Sequence, residues 1–399
     1  MTQQLPPATS SLEEIRQQRA GRSKTEAPGL PFGIEEEYLL LDARTGKPRN
    51  CAANLVRAAG HLQTHTEREF LASQIETATP KCESASQAQS YLEKYRAVLA
   101  AKADSLGVVL AGTGLPPSGG DIDSSVTPRA RYRALYAATR NVAAHHYATG
   151  CHVHVEVPSR DLGVAVLGWL SRWAPLLAAL SANSPLWMDR LTGFASWRHI
   201  SGLQWPGTGY PPAVRNGAEY HEVVGNLIST GVLLDTGMVS WVARLSARFP
   251  TVEIRLADSQ LTAADAVDFA LLLRALVDRA LSDTLAGEPI SSGQPTLVDG
   301  AIWAAARDGM SAEIIDPVTA QRRNPTSLVE QLFDLVEPQL SRSGDRGRVG
   351  EYLMRRLDAG SPAKLQEQAY ASGGISGVLD LFRESMTNGP RTIPHPKAS

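Results

Sequence analysis

Residues 32–41, with the sequence Phe-Gly-Ile-Glu-Glu-Glu-Tyr-Leu-Leu-Leu, are the most informative stretch of this chain. Turn-forming residues flank the stretch, which predicts a short β-strand. Successive side chains of a strand point to opposite faces, so Glu35 and Glu37 share one face. On the other face, Ile34 and Tyr38 point towards a core. Two neighbouring carboxylates on a half-buried strand repel each other unless a cation neutralises them, which indicates a metal site.

The composition is that of an ordinary globular protein. Of the 399 residues, 43% are hydrophobic and 20% are charged, and the length alone suggests about two to three domains unless one large sheet unites them. The net charge of −2 gives no overall field that favours nucleic acid or an anionic membrane. Cys51, Cys82 and Cys151 form no CxxC pair, which indicates a reducing compartment. We therefore expect a cytoplasmic protein that binds neither nucleic acids nor membranes.

Apolar periodicity divides the rest of the chain into strands, helices and two polar tails. The tails are predicted at residues 1–29 and 385–399, and loops rich in glycine and proline at 112–123 and 183–212. The further strands are predicted at 107–111, 150–158, 239–245 and 250–259. The helices are predicted at 50–61, 88–106, 129–147, 161–182 (with Asp161 as its cap), 217–230 and 263–285 (capped by Thr262), and residues 302–384 are predicted to be mostly helical.

Two of these strands repeat the arrangement of an apolar face backed by a polar one. Alternation places His152 and His154 on the polar face of the first, and Glu253 and Arg255 on the polar face of the second. One such strand alone is typical of a sheet with a solvent-exposed face. Exposed faces, however, usually contain lysine, threonine and serine, whereas these strands offer carboxylates and imidazoles without lysine. This composition favours one shared acidic site.

The residue types in this site indicate a hard divalent cation. Carboxylates with one histidine suit Mg²⁺ or Mn²⁺. The pair His152 and His154 is a weak indication of zinc, because no third histidine or HExxH motif accompanies it. Arg255 is a fixed cation among the acids, as phosphoryl transfer requires, and the alternative is that it only pairs with Glu253.

Two other groups of residues leave alternatives open. Glu69 and Glu76 would point to opposite faces of one regular strand, so a bend or bulge must intervene if both reach the site; otherwise one is merely exposed. His145 and His146 end a predicted helix, where interaction with the helix dipole is the simpler interpretation. Cys151 lies on the apolar face, which argues against a nucleophilic role. Phosphate-binding glycine motifs are absent from the sequence.

Six segments, in this order along the chain, resemble the glutamate–cysteine ligase type 2 family, also called carboxylate-amine ligases. The resemblance covers about residues 31–384 and excludes both tails. The segments are Gly33-Ile-Glu-Glu-Glu37, Glu69 with Ile75-Glu-Thr-Ala-Thr79, Gly150-Cys-His-Val-His-Val155, Ala182-Asn-Ser-Pro185, Thr192-Gly-Phe-Ala-Ser-Trp-Arg198 and Thr251-Val-Glu-Ile-Arg255.

The resemblance implies an α+β, glutamine-synthetase-like catalytic fold, in which a curved, mostly antiparallel sheet forms an active-site funnel and helices pack outside. It implies one catalytic ligase domain over residues 30–384, and ATP with Mg²⁺, or Mn²⁺, as cofactors. It also assigns roles to residues of this chain. Glu37, Glu69 and Glu76 would hold a metal near the amino-acid carboxylate, Glu35, His152 and Glu253 would hold a metal on the ATP phosphates, Arg255 would stabilise the transferred phosphoryl group, and Arg198 would contact the phosphates or the acid substrate.

By the same resemblance we expect an ATP-dependent ligase that forms an amide through an acyl phosphate, joining the γ-carboxyl of glutamate to cysteine or another amine. The alternatives are a ligase for a different acid and amine in specialised metabolism, a metal-dependent hydrolase, and a non-catalytic nucleotide-binding protein. Loops 112–123 and 191–212 are candidate lids. Base rates alone favour a homodimer. Gly114-Leu115, where the family often has histidine, and Leu191, where it often has aspartate, put the substrates in doubt.

Overall fold

The computed structural model describes residues 29–60, 66–119, 126–144 and 146–387. The predicted N-terminal tail therefore lies almost entirely outside the described residues, as do His145 and most of the predicted C-terminal tail. In the described part of the chain, strands and helices alternate along the sequence without an internal repeat.

Seven strands form one antiparallel sheet with the order β2-β3-β1-β5-β9-β8, and β4 also pairs with β1. Strand β1 pairs with β3 along one edge, and with β5 and then β4 along the other edge. The central strand is therefore the one predicted from residues 32–41. The strands of this sheet are β1 (Phe32–Asp42), β2 (Thr66–Arg68), β3 (Gln74–Ala78), β4 (Val108–Ala111), β5 (Gly150–Glu156), β8 (Ala243–Leu245) and β9 (Thr251–Asp258).

Among the described residues, two small hairpins lie outside this sheet, and helices pack against it. The hairpins are β6 (Leu186–Trp187) with β7 (Arg190–Leu191), and β10 (Ile314–Asp316) with β11 (Gln321–Arg323). The helices are α1 (Ala52–Ala58), α2 (Ala85–Ser105), α3 (Ala130–Thr139), α4 (Asn141–Ala144), α5 (Arg160–Leu170), α6 (Ala174–Ser181), α7 (Trp197–Gly202), α8 (Gly217–Ser229), α9 (Ala263–Ala286), α10 (Pro295–Asp308), α11 (Pro325–Ser343), α12 (Arg346–Ala359) and α13 (Pro362–Thr387).

The predicted single helix over residues 161–182 is wrong, because the chain breaks there into α5 and α6, which meet at an angle of 74°. Pro175 lies in the first turn of α6, where its missing N–H group costs no helical hydrogen bond. The cap is also different: Ser159, not Asp161, accepts a hydrogen bond from the backbone N–H of Leu162. Capping of α9 by Thr262 is confirmed.

Other predicted boundaries change for local reasons. The helix predicted at 129–147 ends at Thr139, because Arg140 has a left-handed backbone with φ of +53°. The predicted loop 183–212 contains the β6–β7 hairpin and α7. Helix α13 continues three residues past Glu384, since Ser385 and Met386 are buried.

Helices bury the apolar face of the sheet, and the polar side chains lie on its other face. Helix α9 is buried on nearly all sides and contacts β5, β1, α2 and α5, so it covers the apolar face of the sheet. The side chains of Ile34, Val153 and Ile254 point into this core and are almost completely buried. The alternation predicted for β1, β5 and β9 is therefore confirmed. In the described residues no single helix is long and apolar enough to cross a membrane. The bent pair α5–α6 reaches the necessary length and apolar character only when its two helices are taken together.

Candidate active site

Strand register brings the predicted polar residues together on the face that α9 leaves uncovered. Residues directly opposite each other in antiparallel strands have neighbouring side chains on the same face. Each row of such neighbours crosses several strands. The rows are Glu67, Glu76 and Glu37 across β2, β3 and β1; Glu35 and His152 across β1 and β5; and His154, Glu253 and Arg244 across β5, β9 and β8.

A histidine cluster, which we define as Glu35, His154 and Glu253, can hold a divalent ion. Ligand atoms of these three residues lie within 4.8 Å of one another. The Nε2 atom of His154 lies 3.3 Å from Oε1 of Glu35, is buried, and has no hydrogen-bond partner among the described residues. An imidazole nitrogen that is buried, aimed at carboxylates and unpartnered fits a metal ligand. His154 was not among the residues that the resemblance assigned to this metal.

His152, which was assigned to the metal, lies between the carboxylates. Its Nδ1 is 3.5 Å from Oε2 of Glu35, and its Nε2 is 3.8 Å from Oε1 of Glu37. Burial, and then the charge of Arg255, lower the pKa of His152 to about 3, so the ring is neutral and able to bind a metal. Burial opposes ionisation of Glu35, but the contacts from His152 and His154 hold its pKa well below its usual range.

Glu253 is held between two arginines. Arg244 donates Nε to Oε2 at 2.8 Å and Nη2 to Oε1 at 2.9 Å, and Arg255 forms a second ion pair with the same carboxylate. Burial would raise the pKa of Glu253, but the charges of Arg255 and Arg244 lower it well below its usual value. The pairing of Arg255 with Glu253, one of the two alternatives, is therefore present. Arg244 lies in the strand predicted at 239–245, but it was missed because its position opposite Glu253 depends on the register between strands.

An acid cluster, which we define as Glu37, Glu69 and Glu76, lies beside the histidine cluster. Glu69 reaches it through the turn between β2 and β3, where its N–H donates to the carbonyl of Gln74 at 3.3 Å. The predicted bend is thus a hairpin turn rather than a bulge in one strand. Glu69 accepts hydrogen bonds from the N–H of Phe70 at 2.6 Å and from other neighbours, and Glu37 accepts one from the N–H of Gly150 at 2.7 Å.

The carboxyl groups of the acid cluster hold their protons more tightly than ordinary carboxyl groups, because their surroundings disfavour the ionised forms. Burial, and then the charge of Glu69, raise the pKa of Glu37 to about 7. Burial and the three neighbouring carboxylates raise the pKa of Glu76 well above its usual value, and burial also raises that of Glu69. Crowded carboxyl groups of this kind are the donor set that Mg²⁺ or Mn²⁺ prefers. The three residues therefore offer the donor type for the metal that the resemblance places near the amino-acid carboxylate, but among the described residues only the histidine cluster has its ligand atoms within 4.8 Å of one another.

Arg198, in the first turn of α7, lies against the start of β5. Its Nη2 and Nη1 donate to the carbonyl groups of Arg255 at 3.3 Å and Leu256 at 3.4 Å. Its nearest carboxylate in the described residues is that of Asp258, with 3.7 Å from Nη1 to Oδ1, and its buried Nε has no partner there. A Cβ atom at Gly150 would collide with Nη2. Arg198 therefore forms one loose ion pair, with Asp258, and its guanidinium packs against Gly150, where a larger residue would displace it.

An aromatic wall, formed by Phe70, Tyr132, Trp205 and His146, borders the acid cluster. Phe70 packs edge-on against Tyr132 and Trp205, and the Nε1–H of Trp205 donates to Nδ1 of His146 at 2.7 Å. Burial, followed by the charges of Arg198 and Arg255, lowers the pKa of His146 to about 3. A neutral ring has no favourable charge interaction with a helix dipole. The dipole interpretation is therefore wrong for His146, and His145 is not among the described residues.

The described part of the predicted lid 112–123 is a fixed loop. Residues 112–118 are buried. Thr113 donates its hydroxyl to the carbonyl of Asn183 at 2.8 Å, and Gly114 donates its N–H to the same carbonyl at 3.1 Å. This segment therefore forms the floor beneath the loop that leads to Arg198 and cannot open as a lid without losing buried hydrogen bonds.

Sequence comparison finds relatives over most of the chain. The family model described as glutamate-cysteine ligase family 2 matches residues 31–379. A protein of Salinispora tropica, provisionally named glutamate–cysteine ligase 2, is 38% identical over 351 residues, or 87% of this chain and 93% of the relative. A protein of Rhodopirellula baltica with the same provisional name is 33% identical over 353 residues, or 87% of this chain and 94% of the relative.

Solved structures share the fold at much lower identity. Glutamate–cysteine ligase from Francisella tularensis, solved in complex with AMP, has a TM-score of 0.67 at 16% identity, over 90% of this chain and 89% of that one. A bifunctional glutathione synthetase from Pasteurella multocida has a TM-score of 0.64 at 13% identity, over 93% of this chain and 53% of that one. The predicted fold class is confirmed by these neighbours.

Proposed function

The chain belongs to glutamate–cysteine ligase family 2 and is an ATP-dependent carboxylate-amine ligase, and we propose that it joins the γ-carboxyl of glutamate to cysteine or another amine. The provisional names of the relatives support these substrates. The proposal extends to the residue roles, because the two carboxylate clusters lie side by side on one sheet face. That juxtaposition is the observation on which the proposed mechanism depends.

We propose that the acid cluster and the histidine cluster each hold one Mg²⁺ ion, with Mn²⁺ as a substitute. The raised pKa values of Glu37 and Glu76, whose ionised forms a cation would stabilise, and the unpartnered Nε2 of His154 support this assignment. Bound ions would screen the phosphate oxygens of ATP and orient the γ-phosphate for transfer. His152 lies between the two clusters and can bind an ion in either one. Its assignment to the metal on the ATP phosphates therefore stays a prediction.

The proposed reaction has two steps. An oxygen of the substrate carboxylate attacks the γ-phosphorus of ATP, and the bond from that phosphorus to the bridging oxygen breaks. The products of this step are an acyl phosphate and ADP. The amine then attacks the acyl carbon and loses a proton as inorganic phosphate departs. Arg255, whose charge acts on both Glu253 and Glu37, lies where it can stabilise the phosphoryl group in transit. The aromatic wall would limit the access of water to the acyl phosphate.

Arg198 is proposed to bind the acid substrate rather than the nucleotide. Its charge acts on Glu37 and on His146, both on the acid-cluster side of the site. A guanidinium with unused donors can bind a carboxylate with two parallel hydrogen bonds. Among the described residues, the carboxylate contact of Arg198 is the 3.7 Å pair with Asp258, which is longer than the pairs that Arg244 and Arg255 form with Glu253.

The decisive experiment is an assay of the purified protein with ATP, Mg²⁺, glutamate and a panel of amines. We expect ADP release that depends on an amine, and we expect hydroxylamine to trap the acyl phosphate as a hydroxamate. Hydrolysis without nucleotide would instead support a metal-dependent hydrolase, and ATP binding without turnover a non-catalytic protein. The panel should include other acids, because Gly114-Leu115 and Leu191 differ from the family pattern.

Three further expectations remain proposals. The match of the family model to residues 31–379 supports a single ligase domain over residues 30–384. The cytoplasmic location rests on cysteine usage in the sequence. The homodimer rests on base rates and can be tested by light scattering of the purified protein.

A further inference from the structure

Asp258, the last residue of β9, is a buried carboxylate that the proposed mechanism does not use. It is 1% exposed and accepts three hydrogen bonds from the segment that leads to α7. Oδ2 accepts from the N–H of Asn183 at 2.7 Å and from Oγ of Ser184 at 2.8 Å, and Oδ1 accepts from Oγ of Ser196 at 2.9 Å. The carboxylate therefore joins both ends of the loop 183–196.

The two serine hydroxyls transmit this arrangement to α7. A hydroxyl that donates its single proton to Asp258 keeps its lone pairs free to accept. Oγ of Ser184 accepts from the N–H of Arg198 at 3.1 Å, and Oγ of Ser196, the N-cap of α7, accepts from the N–H of His199 at 3.3 Å. Asp258 thus orients both hydroxyls, and the hydroxyls orient the backbone that carries Arg198.

The side chain of Arg198 depends on this backbone because its own contacts are long, including a direct ion pair of 3.7 Å from its Nη1 to Oδ1 of Asp258. Its hydrogen bonds to the carbonyl groups of Arg255 and Leu256 are long, at 3.3 and 3.4 Å. Those carbonyl groups lie at the register irregularity of β9, where the pairing with β5 shifts between Cys151 and Val153. The position of the guanidinium over Gly150 is therefore set mainly by where its backbone lies.

We propose that Asp258 is a positioning residue, which fixes Arg198 for the acid substrate by orienting the hydroxyls of Ser184 and Ser196. The inference rests on the proposed function for the role of Arg198, and on the hydrogen bonds alone for the fixing of its backbone. Asp258 acts through Arg198 and makes no contact with the reacting atoms.

The residues around Asp258 leave no room for a longer side chain at this position, and they do not match the hydrogen-bonding groups of an amide. A Cβ atom on Gly114 would lie 2.7 Å from Cγ of Asp258, so the floor loop already packs tightly against the carboxylate. Asparagine has one acceptor oxygen, whereas three donors converge on this position. Its NH₂ group would face at least one N–H or O–H donor, which would turn away a serine hydroxyl or the N–H of Asn183.

The first test is hydrogen–deuterium exchange of the whole protein, read over residues 184–203. In Asp258→Asn we expect about tenfold faster exchange there, with the rest of the chain unchanged. The matched control is Asp345→Asn, because Asp345 is also buried and accepts from Ser343 and Arg274, far along the chain in the α11–α12 corner. Equal acceleration in both variants, or none at residues 184–203 in Asp258→Asn, would overturn the proposal.

The second test is kinetic and uses a double-mutant cycle. Asp258→Asn should raise KM for the acid substrate about tenfold or more, and change KM for ATP less than about threefold. In an Arg198→Met background, Asp258→Asn should add little, because the residue it positions is already gone. Equal effects on both KM values, or full additivity with Arg198→Met, would contradict a role through Arg198.

If Asp258→Asn folds poorly, two variants that each remove one of the hydrogen bonds to Asp258 keep the test valid. Ser184→Ala and Ser196→Ala each remove one hydroxyl, and we expect each to raise KM for the acid substrate by a smaller factor. No change in either variant would overturn the proposal. A wild-type protein without ligase activity would contradict the proposed function instead, and the exchange measurement would still decide whether Asp258 fixes the segment that carries Arg198.

Discussion

Glu37 and Glu76 lie directly opposite each other on β1 and β3, with both carboxyl groups turned to the same face of the sheet. Like charges in this cross-strand position are destabilising. Burial adds to the cost, as the raised pKa values of both groups show. A sheet that keeps this pair at its centre is built to receive positive charge there.

The first prediction concerns pH in the absence of metal. The pKa of Glu37 is raised to about 7, so the folded protein binds this proton more tightly than the unfolded chain. The stability that Glu37 contributes is therefore present at low pH and lost as the pH rises through about 7. In EDTA, Glu37→Gln should gain about 1 kcal/mol relative to wild type between pH 6 and pH 8.

The comparison with wild type is essential to this experiment. The lowered pKa values of His146, His152 and His199 have the opposite effect, because these rings resist protonation only in the folded state. Both proteins share these histidines, so the difference in unfolding free energy isolates Glu37. A difference that is the same at both pH values would contradict the prediction. Saturating Mg²⁺ should raise the Tm of wild type more at pH 8 than at pH 6.

The second prediction concerns Glu253→Gln, which should nearly abolish turnover because it removes a proposed metal ligand. The structure adds a cost, because Arg244 and Arg255 would lose their shared counter-ion, and we expect about 3 kcal/mol lower stability. Glu156→Gln, on the neighbouring strand in an exposed pair with Lys81, is the control with near-normal kcat and Tm. A kcat near that of wild type in Glu253→Gln would remove Glu253 from the mechanism.

The third prediction concerns the contact between Gly150 and Arg198. A methyl group at residue 150 would collide with the guanidinium and lie 3.0 Å from Nε2 of His152. Gly150→Ala should therefore cost about 1–3 kcal/mol and most of the activity. Gly33→Ala is a matched control on β1, since its nearest neighbour would be Oγ1 of Thr79 at 3.9 Å. Equal activity in the two variants would show that the position of Arg198 is unimportant.

The fourth prediction concerns the ion pair of Glu36 and Arg96 beneath the sheet. Both side chains are almost completely buried, and Arg96 also donates to the carbonyl groups of Leu261 at 2.7 Å and Gln260 at 2.9 Å. Arg96→Met leaves a buried carboxylate unpaired and should cost about 3–5 kcal/mol in denaturant unfolding. Arg49→Met, which breaks an exposed pair with Asp42, should change stability by less than about 1 kcal/mol. We expect Glu36→Gln with Arg96→Met to recover part of the loss, and wild-type stability in Arg96→Met would contradict this account.

Local periodicity was sufficient to predict the faces of the central strands. Alternation placed Glu35, Glu37, His152 and Glu253 on polar faces, and each of these strands has that orientation in the structure. Periodicity with a period of two is a property of neighbouring residues, so it can be read without knowing the strand partners. The resemblance then joined the strands into one site, which spacing alone could not do.

What the sequence could not provide was register and long-range pairing. Register decides that His154, rather than His152, lies opposite Glu253. The charge of Glu36 on a core face is explained only by Arg96, 60 residues away in sequence. Arg244 and Asp258 lie in predicted strands, but their roles depend on register: Arg244 lies opposite Glu253, and Asp258 lies beyond the irregularity in the pairing of β5 and β9. The break between α5 and α6 was signalled by Pro175, which marks the start of a helix as readily as a kink.

The two arginines on Glu253 have a consequence for the order in which ligands arrive. Before anything binds, Arg244 and Arg255 neutralise Glu253 of the histidine cluster, whereas Glu37 and Glu76 of the acid cluster have raised pKa values and retain protons that a cation can displace. A divalent ion without a nucleotide should therefore bind more favourably at the acid cluster. At the histidine cluster it would have to compete with two guanidinium groups for Glu253. An ion delivered on a polyphosphate brings anionic oxygens that those guanidinium groups can take in exchange. We therefore expect the ion of the acid cluster to bind first and the ion of the histidine cluster to bind together with the nucleotide.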